Sequence, residues 1–104
     1  MHAALGPGYQ HEVYRRALSI ELRNRAVPIH TEVPLELRYR GEVVGRFEAE
    51  MVVNAAILVE LKTTASLEQV DEQNIARHLK LARMHVGLII NFGPARMSYR
   101  RVVV

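Results

Sequence analysis

The run Ala55-Ala56-Ile57-Leu58-Val59-Glu60-Leu61-Lys62 is apolar until two opposite charges enter it, two positions apart. Alternate residues of an extended strand share a face, so Glu60 and Lys62 point the same way. Ten positions upstream, Glu50 interrupts a second apolar segment, Phe47 to Val53. Charges in such surroundings are costly unless they are paired or used. Two carboxylates and an ammonium on adjacent strands can hold a divalent cation and stabilise charge beside it, which is the chemistry of metal-dependent phosphodiester hydrolysis. In that reading Glu50, Glu60 and the Leu61 carbonyl ligate magnesium and leave positions for a water and a scissile phosphate. Lys62 orients or deprotonates the water, or stabilises charge on the phosphoryl group. The same residues also admit a structural reading, in which Glu60 and Lys62 pair at a strand end and Glu50 lies on a wet face.

The geometry required is specific. Leu58, Glu60 and Lys62 share one strand face, and alternation places Glu48, Glu50 and Val52 together on the other strand. If the strands pair, both carboxylates meet at one end of the sheet. The other reactive residue types offer less. The five histidines, His2, His11, His30, His78 and His85, lack the spacing of a zinc motif. The six glycines form no phosphate-cradling loop. Ser66 and Ser98 have no partner that suggests a nucleophile. Gln73-Asn74 reads as surface polarity, or as an amide that holds a water or phosphate over the metal strands.

The elements that must position these residues follow from periodicity. Leu5-Gly6-Pro7-Gly8 is a turn. From about Tyr9 to Ala26 the pattern is helical, with Tyr14, Leu18 and Leu22 in one stripe and Pro28 as the stop. His11 lies near the start of that stripe, and Glu12 is rotated by about 100° from it. Ile29 to Tyr39 alternates as a half-wet strand, Arg40-Gly41-Glu42 is a hairpin turn, and Val43 to Val53 is a second strand bent near Gly45. Asn54 and Ala55 turn the chain into a third strand, Ile57 to Lys62. Ser66 is the expected N-cap of a helix from about Leu67 to Met84, with Gln69 completing a capping box. Val86 to Phe92 is a continuous apolar run, expected of a central strand covered on both faces. Tyr99 to Val104 is an edge strand. The order is helix, three strands, helix, strand, strand: an α/β sandwich on one mixed sheet, with a meander first and a helical crossover after it.

Composition sets the outer bounds. The chain has 104 residues, 49% of them hydrophobic, which suits one domain with one core and is too apolar for disorder. No apolar run approaches the roughly 20 residues of a membrane span. No signal peptide is evident, and a cytoplasmic protein is the default. Cysteine is absent, which excludes disulfides and thiolate metal sites. Net charge is +3 with a pI near 9.7. That mild excess permits nucleic-acid binding without establishing it. Basic residues gather at Arg15, Arg16, Arg23 and Arg25, and again at Arg96, Arg100 and Arg101.

With these residues placed, the chain resembles the GxxExxY family, a branch of the PD-(D/E)XK nuclease superfamily. The likeness runs over nearly the whole chain. It is carried by Leu5-Gly6-Pro7-Gly8 leading to Tyr14, by Ala17-Leu18 and Glu21-Leu22, and by Tyr39-Arg40-Gly41-Glu42. Val59-Glu60-Leu61-Lys62 and Gly87-Leu88-Ile89-Ile90-Asn91-Phe92-Gly93 complete it. The resemblance implies a single restriction-endonuclease-like domain over 1–104 with an α-β-β-β-α-β core, shortened at its N terminus relative to family members. It implies a magnesium- or manganese-dependent nuclease that acts on nucleic acid, DNA ahead of RNA. Catalysis would rest on Glu50, Glu60 and Lys62, with His11, Glu12, Gln73 and Asn74 in support.

Four positions depart from the pattern. His11 stands where the family has a helix glutamate, with Glu12 displaced by one. Glu50 stands where it has an aspartate. Asn74 stands near its helix glutamine, and His78 follows where a tyrosine is usual. Two further readings therefore stand beside the nuclease: a catalytically impaired module that binds nucleic acid or a protein, and a homodimeric structural module.

Overall fold

The computed structural model describes residues 2–94 and 96–104. A short helix α1 (His2–Leu5) precedes α2 (His11–Asn24). The strands β1 (Ile29–Tyr39), β2 (Glu42–Val53) and β3 (Ile57–Lys62) follow, then α3 (Gln69–Ala82), β4 (Val86–Asn91) and β5 (Ser98–Val103). The five strands form one sheet in chain order. Every neighbouring pair is antiparallel except β3 and β4, which are parallel and joined through α3. This is the expected mixed α/β fold. Among the described residues, no helix is long and apolar enough to cross a membrane.

The sheet separates two apolar layers. On one face α3 packs Ile75 and Leu79 against Leu35, Ala49, Leu58 and Ile89. On the other, Tyr14 of α2 meets Met51, Val59, Leu61 and Phe92, with Leu18 and Leu22 of the predicted stripe packed alongside. β3 alternates strictly, sending Leu58 to the α3 face and Val59 and Leu61 to the α2 face. β4 is covered on both faces, as its apolar run implies. Gly87 lets α3 approach, since a Cβ there would lie 2.8 Å from Ile75 Cδ1.

Local expectations hold with three adjustments. The bend near Gly45 is a β-bulge: Leu37 pairs with Gly45 and Arg38 with Val43, which leaves Val44 as the extra residue. Asn54 and Ala55 form the next turn, both at positive φ. The cap of α3 differs from the Ser66–Gln69 expectation. Glu68 is the N-cap, and the Asp71 carboxylate accepts its backbone N–H at 2.9 Å. A carboxylate is the stronger acceptor, and its charge suits the helix N-terminus.

The third adjustment concerns β2. Ala49 and Val52 both pack on the α3 layer, whereas Met51 and Val53 pack on the α2 layer. The alternation therefore slips by one between Ala49 and Val52. Opposite the slip, Glu32 of β1 adopts a left-handed φ of 53° between the pairs Thr31–Met51 and Val33–Ala49. Glu48, Glu50 and Val52 thus do not share one face, contrary to simple period-two reading.

Candidate active site

The slip opens a fork in the sheet. β2 and β3 pair at Val53–Ile57, Val52–Leu58 and Met51–Val59, and the pairing stops there. Glu50 is the next residue on β2. Its Oε2 accepts the backbone N–H of Leu61 at 2.8 Å, so a side-chain oxygen does what a strand carbonyl would have done. A strand residue directs its N–H and its carbonyl to the same side. The Leu61 carbonyl therefore points toward the fork as well. The next residue points the other way, and its carbonyl accepts Phe92 N–H at 2.8 Å.

The Glu50 carboxyl is shifted upward. Burial pushes its pKa above the ordinary 4.5, and the nearby Glu60 charge pushes it further. The Leu61 N–H, His11 and Arg15 oppose the shift without cancelling it. Glu50 Oε1 is buried and accepts no hydrogen bond among the described residues. His11 Nε2, at the first residue of α2, is in contact with this same oxygen.

Glu60 and Lys62 share a face, as their spacing predicts, and that face meets α3. Glu60 is 8% exposed, and its Oε1 lies 2.5 Å from His78 Nδ1. The His78 ring leans on Phe47 of β2, with centroids 5.9 Å apart. Lys62 Nζ lies 4.0 Å from Asp71 Oδ1, on the carboxylate that also caps α3. Each charged group on β3 thus has an α3 partner that fixes its direction.

Two further arrangements hold the site together. Tyr14, one turn after His11, is fully buried and stacks on Phe92 with centroids 4.9 Å apart and planes 2° from parallel. Its hydroxyl donates to the Gly6 carbonyl at 2.6 Å and accepts Tyr9 N–H at 3.3 Å. The start of α2, and with it His11, is therefore tied both to β4 and to the preceding turn. On the other side, the buried Asn91 clamps the loop that leaves Lys62. Its Oδ1 accepts the N–H of Thr64 at 3.1 Å and of Gly93 at 3.0 Å, and its Nδ2 donates to the Thr64 carbonyl at 2.9 Å. Gly93 has to be glycine here, because a Cβ would lie 2.1 Å from the Thr64 carbonyl oxygen.

Of the residues singled out in the sequence, Lys62 is engaged by Asp71 of α3, while the Leu61 N–H, His11 and the charge of Glu60 all act on Glu50 at the fork. Glu12 instead pairs with Arg15 and Arg16 along α2, whose hydrogen bonds hold its carboxyl below the usual range. Gln73 is exposed, and the Asn74 carbonyl oxygen accepts from Arg77. The reason is helical phase: Asp71 and His78, seven apart, sit on the face of α3 that meets β3, and Gln73 is rotated off it. Asp71 has no site role in the sequence reading, where His78 figures only as a departure from the family pattern and Asn91 only within a motif. The i, i+7 spacing of Asp71 and His78 was the available signal.

The donor set suits a hard divalent cation in one respect. An oxygen-only site of one or two carboxylates, a carbonyl and several waters is how magnesium is commonly held. Glu50 Oε1, the Leu61 carbonyl and Glu60 would provide it. Among the described residues, no three His, Asp or Glu side chains converge on one point, because Glu60 is turned toward His78. The protein would thus supply few ligands and leave the remainder to water and substrate.

Comparison with known proteins agrees with this fold. The crystal structure of SSO0001 shares the fold, with a TM-score of 0.69 and 19% identity over 88% of this chain. This chain spans about half of that structure's length, 48%. No curated protein matches the sequence significantly. The family model of the PD-(D/E)XK nuclease superfamily matches residues 1–102. The chain belongs to the PD-(D/E)XK nuclease superfamily.

Proposed function

We propose that this domain is a divalent-metal-dependent nuclease of the GxxExxY branch, hydrolysing phosphodiester bonds in nucleic acid, with DNA ahead of RNA. One observation carries the reading. The Glu50 carboxylate is bonded to Leu61 N–H at the fork of the sheet, within electrostatic reach of Glu60 on the adjoining strand. Glu50, Glu60 and the Leu61 carbonyl would hold Mg2+ or Mn2+, which when bound polarises the phosphoryl oxygens and lowers the pKa of a bound water. Lys62, directed by Asp71, would orient the attacking water or stabilise charge on the phosphoryl oxygens. His78 would hold the Glu60 carboxylate until a metal draws it toward Glu50.

The test is cleavage of single- and double-stranded DNA and RNA with magnesium or manganese, beside Lys62→Ala prepared identically. Activity in the parent that is lost in the variant supports the reading. Equal activity in both would trace it to a contaminant. One observation favours a second reading, a catalytically impaired module that binds nucleic acid or protein: both carboxylates already meet an imidazole. Binding of the same polymers without cleavage under any metal would decide for it.

A further inference from the structure

The β1–β2 hairpin and α3 enclose a hollow that the chemistry above does not use. Leu37, Phe47 and Leu81 give it an apolar floor, and Arg77 and Lys80 of α3 also line it. Its volume is about 320 Å³, within the roughly 300–1,000 Å³ of pockets that take small ligands. Phe47 and Leu37 are each 43% exposed, so much of an aromatic ring is open in a concave site. The ring is also held in place. It lies beside Gly45, where a Cβ would come 3.1 Å from Phe47 Cε2, and the His78 ring leans on it at 5.9 Å between centroids. His78 meets Glu60 through Nδ1, so the hollow and the candidate active site share a side chain.

The charge beside the hollow is uncommitted. Arg77 donates to Asn74 Oδ1 at 3.1 Å, and among the described residues neither Arg77 nor Lys80 pairs with a carboxylate. Lys62 and Arg100, by contrast, meet Asp71 and Glu72 of the same helix. An apolar side chain of a protein partner would fill the floor and leave these two cations unused. A flat base joined to a phosphate uses both, its π face on the ring and its anion on the cations.

We infer that this hollow takes an unpaired nucleobase, stacked on Phe47 with the strand's phosphates on Arg77 and Lys80, so that the domain acts on single-stranded or locally opened DNA rather than on intact duplex. The inference rests on the reading of the domain as one that acts on nucleic acid. A paired base is stacked on both sides and must leave the helix before it can meet Phe47. Every base has a π face, so the hollow accepts a base without reading which one it is.

The experiment is binding of fluorescent DNA to the full chain in the presence of a chelator, which makes the readout independent of cleavage. The probes are a short thymidine strand, an abasic strand of the same length, and a duplex. The proteins are the parent, Phe47→Leu, Phe47→Tyr and the double variant Arg77→Glu with Lys80→Glu, each checked for an unchanged melting profile. The parent should bind the thymidine strand roughly 5–100-fold tighter than the abasic one. Phe47→Leu should erase most of that preference, Phe47→Tyr should keep it, and duplex binding should not depend on Phe47. The double charge variant should weaken both strands by a similar factor, since they carry the same phosphates. Photocrosslinking of an iodouracil-substituted strand to the parent should map to Phe47 or to its neighbours in the hollow. Equal binding of the thymidine and abasic strands, a preference that survives Phe47→Leu, or a crosslink elsewhere would overturn the inference. Were any of these to accompany cleavage that depends on Lys62, the inference would fall alone and the nuclease reading would stand. The expected dependence on Phe47 in a protein that cleaves nothing would keep the inference and remove the catalytic reading.

Discussion

Asn91→Asp isolates the clamp behind Lys62 with a change of a single group. The side chain keeps its shape, and its Oδ1 can still accept from Thr64 and Gly93. The third bond is inverted: the amide that donated to the Thr64 carbonyl at 2.9 Å becomes a carboxylate oxygen facing it. Asn91 is fully buried, so solvent does not relieve the opposition. Losing the hydrogen bond costs about 1 kcal/mol, and an unsatisfied buried acceptor costs about 1–3 kcal/mol more. A net loss of roughly 2–4 kcal/mol corresponds to a fall in Tm of about 10–25 °C for a domain of this size. The assay is thermal and urea unfolding across pH. The pH dependence distinguishes this mechanism from general damage. Burial and the facing carbonyl raise the new carboxyl's folded pKa, so the folded variant binds more protons than the unfolded one. Its stability relative to the parent must therefore fall as pH rises and recover as pH drops, when the protonated acid can again donate to Thr64. A loss below about 0.5 kcal/mol, or a loss that does not change with pH, would refute the clamp as described.

Other outcomes follow from the same geometry. Glu50 has a folded pKa raised above the ordinary 4.5, so its ionisation lowers stability as pH rises from there through the folded pKa. Glu50→Gln should accordingly melt a few degrees above the parent at pH 8, with the gap closing on acidification in parallel melts. Gly93→Ala should destabilise by about 2–4 kcal/mol in urea unfolding, since its Cβ would strike the Thr64 carbonyl. Tyr14→Phe should cost about 1 kcal/mol and speed amide exchange at Tyr9, whose N–H the hydroxyl accepts.

The elements of the fold were legible because each one repeats. Tyr14, Leu18 and Leu22 declare a helix, the alternation of β3 places Glu60 and Lys62 on one face, and the unbroken β4 run announces coverage on both sides. What was not legible arises where one strand meets another. The slip at Glu50 depends on Glu32 across the ladder, and no single-strand period contains it. Glu68 and Asp71 took the cap of α3 from Ser66 because a carboxylate outcompetes a hydroxyl, a contest decided by charge. Asn91 lies inside the Val86–Phe92 run that reads as continuously apolar. Its role depends on a loop twenty-seven residues away in sequence.

The parallel pairing of β3 with β4 also bears on how the chain is made. β1, β2 and β3 are joined by tight turns and can assemble as soon as residue 62 is available. β4 arrives only after α3 has been laid down. Throughout that interval β3 has one satisfied edge and one bare edge, and it carries Ile57-Leu58-Val59 with apolar side chains on both faces. Bare, apolar strand edges recruit other chains. The stretch from Thr63 to His85 is therefore a delay during synthesis. Slowing translation there, or destabilising α3 without touching the sheet, should raise the insoluble fraction of newly made protein more than the loss of equilibrium stability would predict.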